Sequence, residues 1–172
     1  MQRPIPRGSG TPAAVPVDLD ARITVELSSV VSGARRRAHR DGDGQLDTAH
    51  LLHSLLESDP EVRAVVGDGG QAARVLGYLV QRSIGYGLRW HGTVEDSGAV
   101  PRVTQAGRGG WSPAAAAALE YALTRAAGDG ARRARGVDLL AGLAADQECR
   151  AVEVLARAGV DADELAGRLA EA

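Results

Sequence analysis

The loop HRDGDGQL, from His39 to Leu46, is the first stretch whose side chains could bind an ion. Gly44 and Leu46 fall at the turn and hydrophobic positions of an EF-hand calcium loop. The first and last ligand positions would then be His39 and His50, whereas Ca²⁺ needs carboxylates there, including a bidentate glutamate at the end. A turn that ends a helix explains the same residues, so we do not predict a calcium site.

His50 and His53 stand on adjacent turns of one predicted helix, a spacing at which two histidines can share a zinc ion. No cysteine or further histidine is near enough in sequence to complete such a site. The arginines of 35–40 and 131–135 could meet phosphates, but no aromatic residues interleave with them and the net charge is -2. We therefore predict solvated arginine faces and no metal site, and we favour functions without a nucleic-acid partner.

Catalytic signatures are missing from the sequence. It has no paired carboxylates, no nucleophile elbow and no glycine-rich phosphate loop after a strand, so neither an enzyme nor a cofactor is expected. The sequence contains a single cysteine, Cys149, which fits a reducing compartment. We predict that Cys149 is buried and packs as a small hydrophobic residue. No apolar run reaches membrane-spanning length, and the proline-rich start lacks the apolar core of a signal peptide. We expect a cytoplasmic protein without a membrane partner.

The composition favours helices as the elements that position these residues. The hydrophobic share is 44% with no Phe, and much of it is Ala, which is the best helix former and is depleted in strands. From Ile23, apolar residues recur at steps of three and four, which predicts an amphipathic helix capped by Thr24 and ended near Gly42. Its predicted core positions are Ile23, Leu27, Val30, Val31, Ala34 and Ala38.

Three further helices are predicted in the first half of the chain. Asp47 is expected to cap a second helix through LLHSLLE, and Pro60 suits the first turn of a third helix. A glycine loop at 67–70 precedes a fourth helix, predicted over 71–83. Its predicted inward residues are Ala73, Val75, Leu76, Leu79 and Val80.

The second half of the chain repeats this pattern. When the sequence is shifted by the interval between Asp41 and Asp129, ITVELSSVVSGARRRAHRDG lies over WSPAAAAALEYALTRAAGDG, and every predicted core position meets an apolar residue. The register continues through the second helix and, after a slip of one residue, sets DPEVRAV over DQECRAV. Ser112 is expected to start the second copy and Asp161 its last helix. We therefore predict two copies of one four-helix unit.

This organisation resembles the Clp N-terminal repeat domain. In that family each unit has a first helix that ends in a glycine-containing loop, a Thr-Glu-His start of the second helix with a Leu-Leu-Gly-Leu run, and a short helix rich in Ala, Val and Arg. The matching stretches are DTAH with LLHSLL in the first half, and GVD with LLAGL and AVEVLARAGVD in the second. The resemblance implies an all-α fold, two tandem four-helix Clp-N-like repeats related by a pseudo-two-fold.

The same resemblance divides the chain into four parts. These are a disordered tail at 1–22, a first repeat at 23–84, a linker at 85–110 and a second repeat at 111–172. Within the mobile linker, Leu88 and Trp90 are the residues expected to pack.

Clp N-terminal domains receive substrates or adaptors and pass them to an attached ATPase ring. A Walker A loop needs a lysine and this sequence contains none, so the resemblance implies a stand-alone receptor module, or one that acts beside an unfoldase encoded elsewhere. Some family members bind arginine-phosphorylated substrates through the glutamate of the Thr-Glu-His segment. Ala49 and Val137 occupy those positions here, so phosphoarginine binding by the usual site is not expected.

The resemblance also implies a ligand site between the repeats, where some actinobacterial members receive cyclic peptide antibiotics. The matching residues are Trp111, Ala116, Leu119, Glu120 and Leu123. Trp111 would supply an aromatic wall, the two leucines an apolar face, and Glu120 an acceptor for a peptide N–H. The alternative is that Trp111 is a core residue that staples its own helix.

Three functions remain open from the sequence. The first is a binding module that captures a peptide, a protein or a peptide-like antibiotic and either delivers it to a Clp protease or sequesters it. The second is a structural protein or adaptor that docks on a Clp ATPase, or dimerises through its helices, without a small ligand. The third is a helical DNA-binding regulator that uses the arginine clusters.

Overall fold

The computed structural model describes residues 18–67, 70–83, 90, 95, 110–130 and 132–172. Within these ranges the secondary structure is helical apart from two isolated bridges, which confirms the predicted all-α fold. The helices are α1 (Leu19–Arg22), α2 (Val25–Arg40), α3 (Thr48–Ser58), α4 (Pro60–Val66), α5 (Gly70–Ser83), α6 (Pro113–Gly128), α7 (Gly136–Ala145), α8 (Arg150–Arg157) and α9 (Ala162–Ala170). No described helix is long and apolar enough to cross a membrane. Residues 1–17 of the predicted tail, Leu88 and most of the predicted linker lie outside the described residues.

Side-chain caps set the starts of the helices in the first half. The Thr24 hydroxyl accepts the N–H of Leu27 at 3.2 Å. The Asp47 carboxylate accepts the N–H of His50 at 2.9 Å, and Asp59 caps α4 in the same way. Each oxygen satisfies an N–H group that the first helical turn leaves without a partner. The predicted starts of α2, α3 and α4 are therefore confirmed.

The long helices α2 and α6 begin and end alike. Ser112 caps α6 by accepting the N–H of Ala115 at 3.1 Å, as Thr24 caps α2. Gly42 follows α2 with φ 73°, and Gly130 follows α6 with φ 88°. Residues with a Cβ atom disfavour this left-handed backbone conformation, whereas glycine adopts it readily. Glycine therefore ends both helices at the positions that the sequence predicted.

The core is formed by the inward faces of helices α2 to α9. All six residues predicted to face inward from the first long helix are buried, five of them in α2 and Ile23 just before its cap. In α5 the prediction was wrong for two residues, because Ala73 is exposed and Val80 is 49% exposed. Ala72 faces the core instead, in line with Val75 and Leu79. These three positions form a stripe at helical spacing, and Ala73 and Val80 lie on its flanks.

Each half of the chain contains a close helix crossing at an equivalent position. In the first half, the Ser54 hydroxyl of α3 donates to the Val30 carbonyl of α2 at 2.7 Å. In the second half, Gly142 of α7 faces Ala118 of α6 so closely that a Cβ atom would lie 3.0 Å from the carbonyl carbon and nearer still to the oxygen. The shift that carries Asp41 to Asp129 also carries Val30 to Ala118 and Ser54 to Gly142. A small residue therefore occupies the equivalent helix crossing in each half.

Two parallel bridges join the halves to each other. Ile23 pairs with Ala134, and Leu46 pairs with Trp111. The caps of α2 and α6 donate their N–H groups across these bridges at 3.0 and 2.8 Å. The interval that carries Ile23 to Trp111 also carries Leu46 to Ala134, so the bridges are reciprocal. A two-fold relation between duplicated units would produce such pairing, and we retain the pseudo-two-fold as a prediction.

Candidate functional site

Three helices begin at one place in the fold, beside the bridge formed by Leu46. Thr48 is the first residue of α3, Ser112 caps α6, and Arg150 is the first residue of α8. The N–H of Ala151 donates to the Thr48 hydroxyl oxygen at 3.0 Å, which ties α8 to α3. We call this place, defined by Thr48, Ser112 and Arg150, the helix junction. Helix N-termini carry N–H groups without intrahelical partners and a partial positive charge, so the junction favours an anion.

The carboxylate of Glu95 fills the helix junction. Its Oε1 accepts the N–H of Thr48 at 2.9 Å and the hydroxyl of Ser112 at 2.7 Å. Its Oε2 accepts the N–H of Arg150 at 2.7 Å and the hydroxyl of Thr48. Glu95 is 4% exposed. Hydrogen bonds to an ionised acceptor are roughly twice as strong as neutral ones, so these four donors make a buried carboxylate tolerable there.

A second carboxylate, Asp47, holds two arginines beside the helix junction. Arg82 and Arg150 each place a nitrogen 2.9 Å from Asp47 Oδ2. Burial disfavours the charged form, but hydrogen bonding with His50 and the charge of Arg82 bring the pKa of Asp47 well below its usual range. The Trp90 ring lies against the same arginines, whose guanidinium carbons are 4.8 and 5.5 Å from its centroid.

His50 forms a group with Asp41 and Asp43 whose ligand atoms lie within 4.8 Å of one another. His50 Nδ1 accepts the backbone N–H of Asp47 at 3.0 Å, so the imidazole proton belongs on Nε2, which faces Asp43 Oδ2 at 2.7 Å. A metal would need the Nε2 lone pair, and the displaced proton would then oppose the Asp47 N–H at Nδ1. This group therefore does not fit a metal ion, and His50 serves as part of the cap of α3.

His53 has different partners from His50. Its side chain is 3% exposed, and its Nε2 lies 3.3 Å from Glu57 Oε1 without hydrogen-bond geometry. Burial and the nearby positive charge of Arg37 lower the pKa of His53 to about 4. Because His50 is engaged by Asp43 and the Asp47 backbone, the two imidazoles are not arranged to share a zinc ion.

Arginines of the second half form ion pairs at the start of α7. Arg132 contacts Asp138 at 2.6 Å and Asp129 at 2.9 Å, and the N–H of Arg135 donates to Asp138 at 2.8 Å. Burial of Asp138 opposes its ionisation, but the Arg132 hydrogen bond lowers the pKa of this carboxyl overall. The prediction of a solvated arginine face is wrong for Arg132, because its guanidinium forms an ion pair with the buried carboxylate of Asp138. Asp138 in turn accepts the N–H of Arg135 at the start of α7. The prediction holds for Arg35, which is exposed on α2.

The predicted ligand residues are divided between the core and the surface. Ala116, Leu119 and Leu123 are buried, whereas Trp111 and Glu120 are partly exposed. Trp111 packs against the core from its position beside the helix junction. The aliphatic residues of the set therefore pack inside the fold and hold α6 in place. The ligand groove itself stays a prediction.

A shallow cavity of about 410 Å³ lies at the start of α2. Val25, Ser28 and Ser32 are among its walls. The interval that relates the halves places these serines at the positions of Ala116 and Glu120. The face of α6 predicted to bind a ligand thus has an open counterpart on α2, lined largely by polar side chains.

Sequence reasoning missed Glu95, the residue on which the helix junction converges. Glu95 is 47 positions from Thr48 and 17 from Ser112, so no short-range pattern connects them. The available signal was the hydroxyl residues at two helix starts. Ala49 and Val137, at the family's glutamate positions, are both buried and supply no carboxylate for phosphoarginine.

Comparison with solved structures identifies the arrangement of helices. The N-terminal domain of ClpD, a caseinolytic-protease-associated chaperone from Arabidopsis thaliana, matches with a TM-score of 0.66 over 91% of this chain and 97% of that chain, at 17% sequence identity. The chain has the fold of a Clp N-terminal domain.

A second structure supports the Clp N-terminal fold. It comes from structural investigations of a malarial protein secretion system, and it matches with a TM-score of 0.59 and 16% identity over 87% of this chain and 93% of that chain. No protein-family model matches the chain, and no curated protein matches it in sequence. At these identities the likeness establishes the fold, and function must be argued from the site.

Proposed function

We propose that the chain is a non-catalytic binding module of the Clp system, which captures an unfolded protein or a peptide and presents it to a Clp ATPase. The observation that carries the proposal is the fold shared with the ClpD N-terminal domain over nearly the full length of both chains. The named chaperone is associated with a caseinolytic protease, and a module of this fold suits the receiving step before proteolysis. Sequestration of a ligand, such as a cyclic peptide antibiotic, is the same capture without delivery.

We place the capture surface at the start of α6, around Trp111 and Glu120. Leu119 and Leu123 are buried and fix α6, which carries Glu120, and the backbone bridge with Leu46 holds Trp111 just before the start of this helix. A partly exposed tryptophan on a rigid element supplies a large contact area at a small entropy cost, and tryptophan is enriched among residues that dominate binding energy.

Fluorescein-labelled casein, an unfolded protein, tests both the role and the surface by fluorescence anisotropy. We expect Trp111→Ala to weaken casein binding about thirtyfold, which corresponds to the roughly 2 kcal/mol typical of a dominant contact. Tyr121→Ala is the matched control, because Tyr121 is an aromatic residue of α6, the helix that follows Trp111, and is 47% exposed. Circular dichroism must show an intact fold in both variants. Unchanged affinity of Trp111→Ala removes the surface, and no casein binding by the unsubstituted chain removes the role.

The other hypotheses give different results with the same protein. A docking adaptor must retain a Clp ATPase in a pull-down without added casein. A DNA-binding regulator must shift a DNA fragment at low salt and lose it as salt rises. The internal ion pairs of Arg132 and Arg135 weigh against that regulator, because these cations already neutralise carboxylates of the chain.

A further inference from the structure

The helix junction has the donors of an anion-binding site, and its occupant comes from the chain itself. Two of the four donors are the N–H groups of Thr48 and Arg150, which stand at first helical positions and have no partner within their own helices. The other two are the hydroxyls of Thr48 and Ser112. All four would lack this acceptor if the side chain of Glu95 withdrew, and buried donors without partners are costly.

The arrangement of donors favours a carboxylate. Each oxygen of Glu95 accepts one backbone N–H or hydroxyl from α3 and one donor from a second helix, so the donors form two pairs around two oxygens. A planar carboxylate presents two such oxygens, whereas a tetrahedral phosphate adds further oxygens that the donors described here do not serve. The junction thus selects for shape as well as for negative charge.

The equivalent place in the other half, beside the bridge between Ile23 and Ala134, lacks this site. The position matching Thr48 is Gly136, which has no hydroxyl. A Cβ atom on Gly136 would lie 3.1 Å from the Asp59 Cγ, because the Asp59 carboxylate already fills that space. Asp59 is engaged in capping α4. The carboxylate site that Glu95 fills is therefore built at one of two related positions, the one where Thr48 supplies a hydroxyl that Gly136 lacks.

We infer that the helix junction is a carboxylate-recognition site that Glu95 occupies as an internal ligand, and that an acidic segment of a partner protein competes with Glu95 for it. The ligand class is a peptide bearing an aspartate or glutamate side chain, whose two oxygens would take the places of the Glu95 oxygens. The existence of the site stands on the contacts of Glu95. The partner rests on the proposed function, since only a binding module would present the site to another protein.

Glu95→Ala tests the site, because it removes the internal carboxylate and leaves the donors in place. We expect a lower Tm that rises by about 2–4 °C when sodium acetate replaces sodium chloride at equal ionic strength, the shift that about 1 kcal/mol produces in a domain of this size. Sodium phosphate should raise it less. The unsubstituted chain and Glu171→Ala, which alters an exposed carboxylate, should show no difference between acetate and chloride.

Absence of an acetate effect on Glu95→Ala would overturn the carboxylate site, and an equal effect of phosphate would overturn its selectivity. If Glu95→Ala does not fold in chloride, the refolded yield in acetate against chloride, followed by circular dichroism, decides the same question.

Competition is measured with a fluorescent peptide of alternating glutamate and glycine. We expect it to bind Glu95→Ala at least tenfold more tightly than the unsubstituted chain, because the tethered Glu95 acts as a competitor at high effective concentration. Equal affinities would overturn competition even if acetate rescues the variant. Casein binding reports on the proposed function separately, so acetate rescue without casein capture keeps the site and rejects the role.

Discussion

The helix crossing at Gly142 gives the sharpest test of how the second half packs. In Gly142→Ala, the new Cβ would lie 3.0 and 3.1 Å from the carbonyl carbon and Cα of Ala118, and nearer still to the carbonyl oxygen. These atoms belong to the backbone of α6, so they cannot swing aside as the end of a flexible side chain would. The two helices must separate, or α7 must shift along α6.

The expected cost follows from two opposing effects. Overpacking of a close contact costs about 1–3 kcal/mol, and more when backbone must move. Alanine in place of glycine within a helix gains about 1 kcal/mol. Because the atoms that the new Cβ meets are backbone atoms, we take the upper part of the overpacking range, about 2–3 kcal/mol, and expect a net loss of about 1–2 kcal/mol in the free energy of unfolding for Gly142→Ala.

Gly167→Ala is the matched control, because Gly167 lies within α9 and has no atom within 4 Å of its Cβ position. It should gain about 0.5–1 kcal/mol from helix propensity alone. Urea denaturation followed by circular dichroism should separate the two variants by about 1.5–3 kcal/mol, and their Tm values by about 3–12 °C. If Gly142→Ala is as stable as Gly167→Ala, α6 and α7 do not cross at the distance described here.

Two further predictions concern buried titratable groups. Burial and Arg37 lower the pKa of His53 to about 4 in the folded chain. Between about pH 6.5 and pH 4, His53 therefore binds a proton in the unfolded chain but stays neutral in the folded chain. The free energy of unfolding should fall by about 2–3 kcal/mol as the pH is lowered through this range. Urea denaturation across this range measures the loss, and His53→Leu should flatten it; an unchanged slope would contradict this assignment. Burial raises the pKa of Cys149 to about 12, so Ellman's reagent should find no reactive thiol in the folded chain and one after denaturation in guanidinium chloride, whereas prompt labelling of the folded chain would contradict the burial.

The carboxylate within the helix junction also lies close to the proposed capture surface, which gives a testable link between the two. The proposed binding surface at Trp111 and the Ser112 hydroxyl that donates to Glu95 are adjacent in sequence, so we expect a change at Glu95 to affect the start of α6. Casein binding by Glu95→Ala, compared with that of the unsubstituted chain, therefore measures whether capture depends on Glu95.

Much of the fold was predictable from local sequence. Thr24, Asp47 and Ser112 cap helices where expected, and Gly42 ends α2 with the positive φ that glycine favours. The spacing of apolar residues in α2 identified its buried face in full. In α5 the same reasoning failed for two flanking positions, because the width of a buried stripe depends on which neighbours cover it and not on the helix itself.

The sequence alone determined helices α2 to α9 and the resemblance to Clp N-terminal domains, because caps, glycine stops and helical periodicity act between residues a few positions apart. Helix α1, at Leu19–Arg22, falls in the stretch that was predicted to be a disordered tail. The tertiary structure decided the site. Thr48 meets Glu95 over 47 positions, and Arg150 meets Asp47 over 103 positions. Such partners are chosen by how the helices pack, since a carboxylate stays buried only where the fold collects enough donors around it.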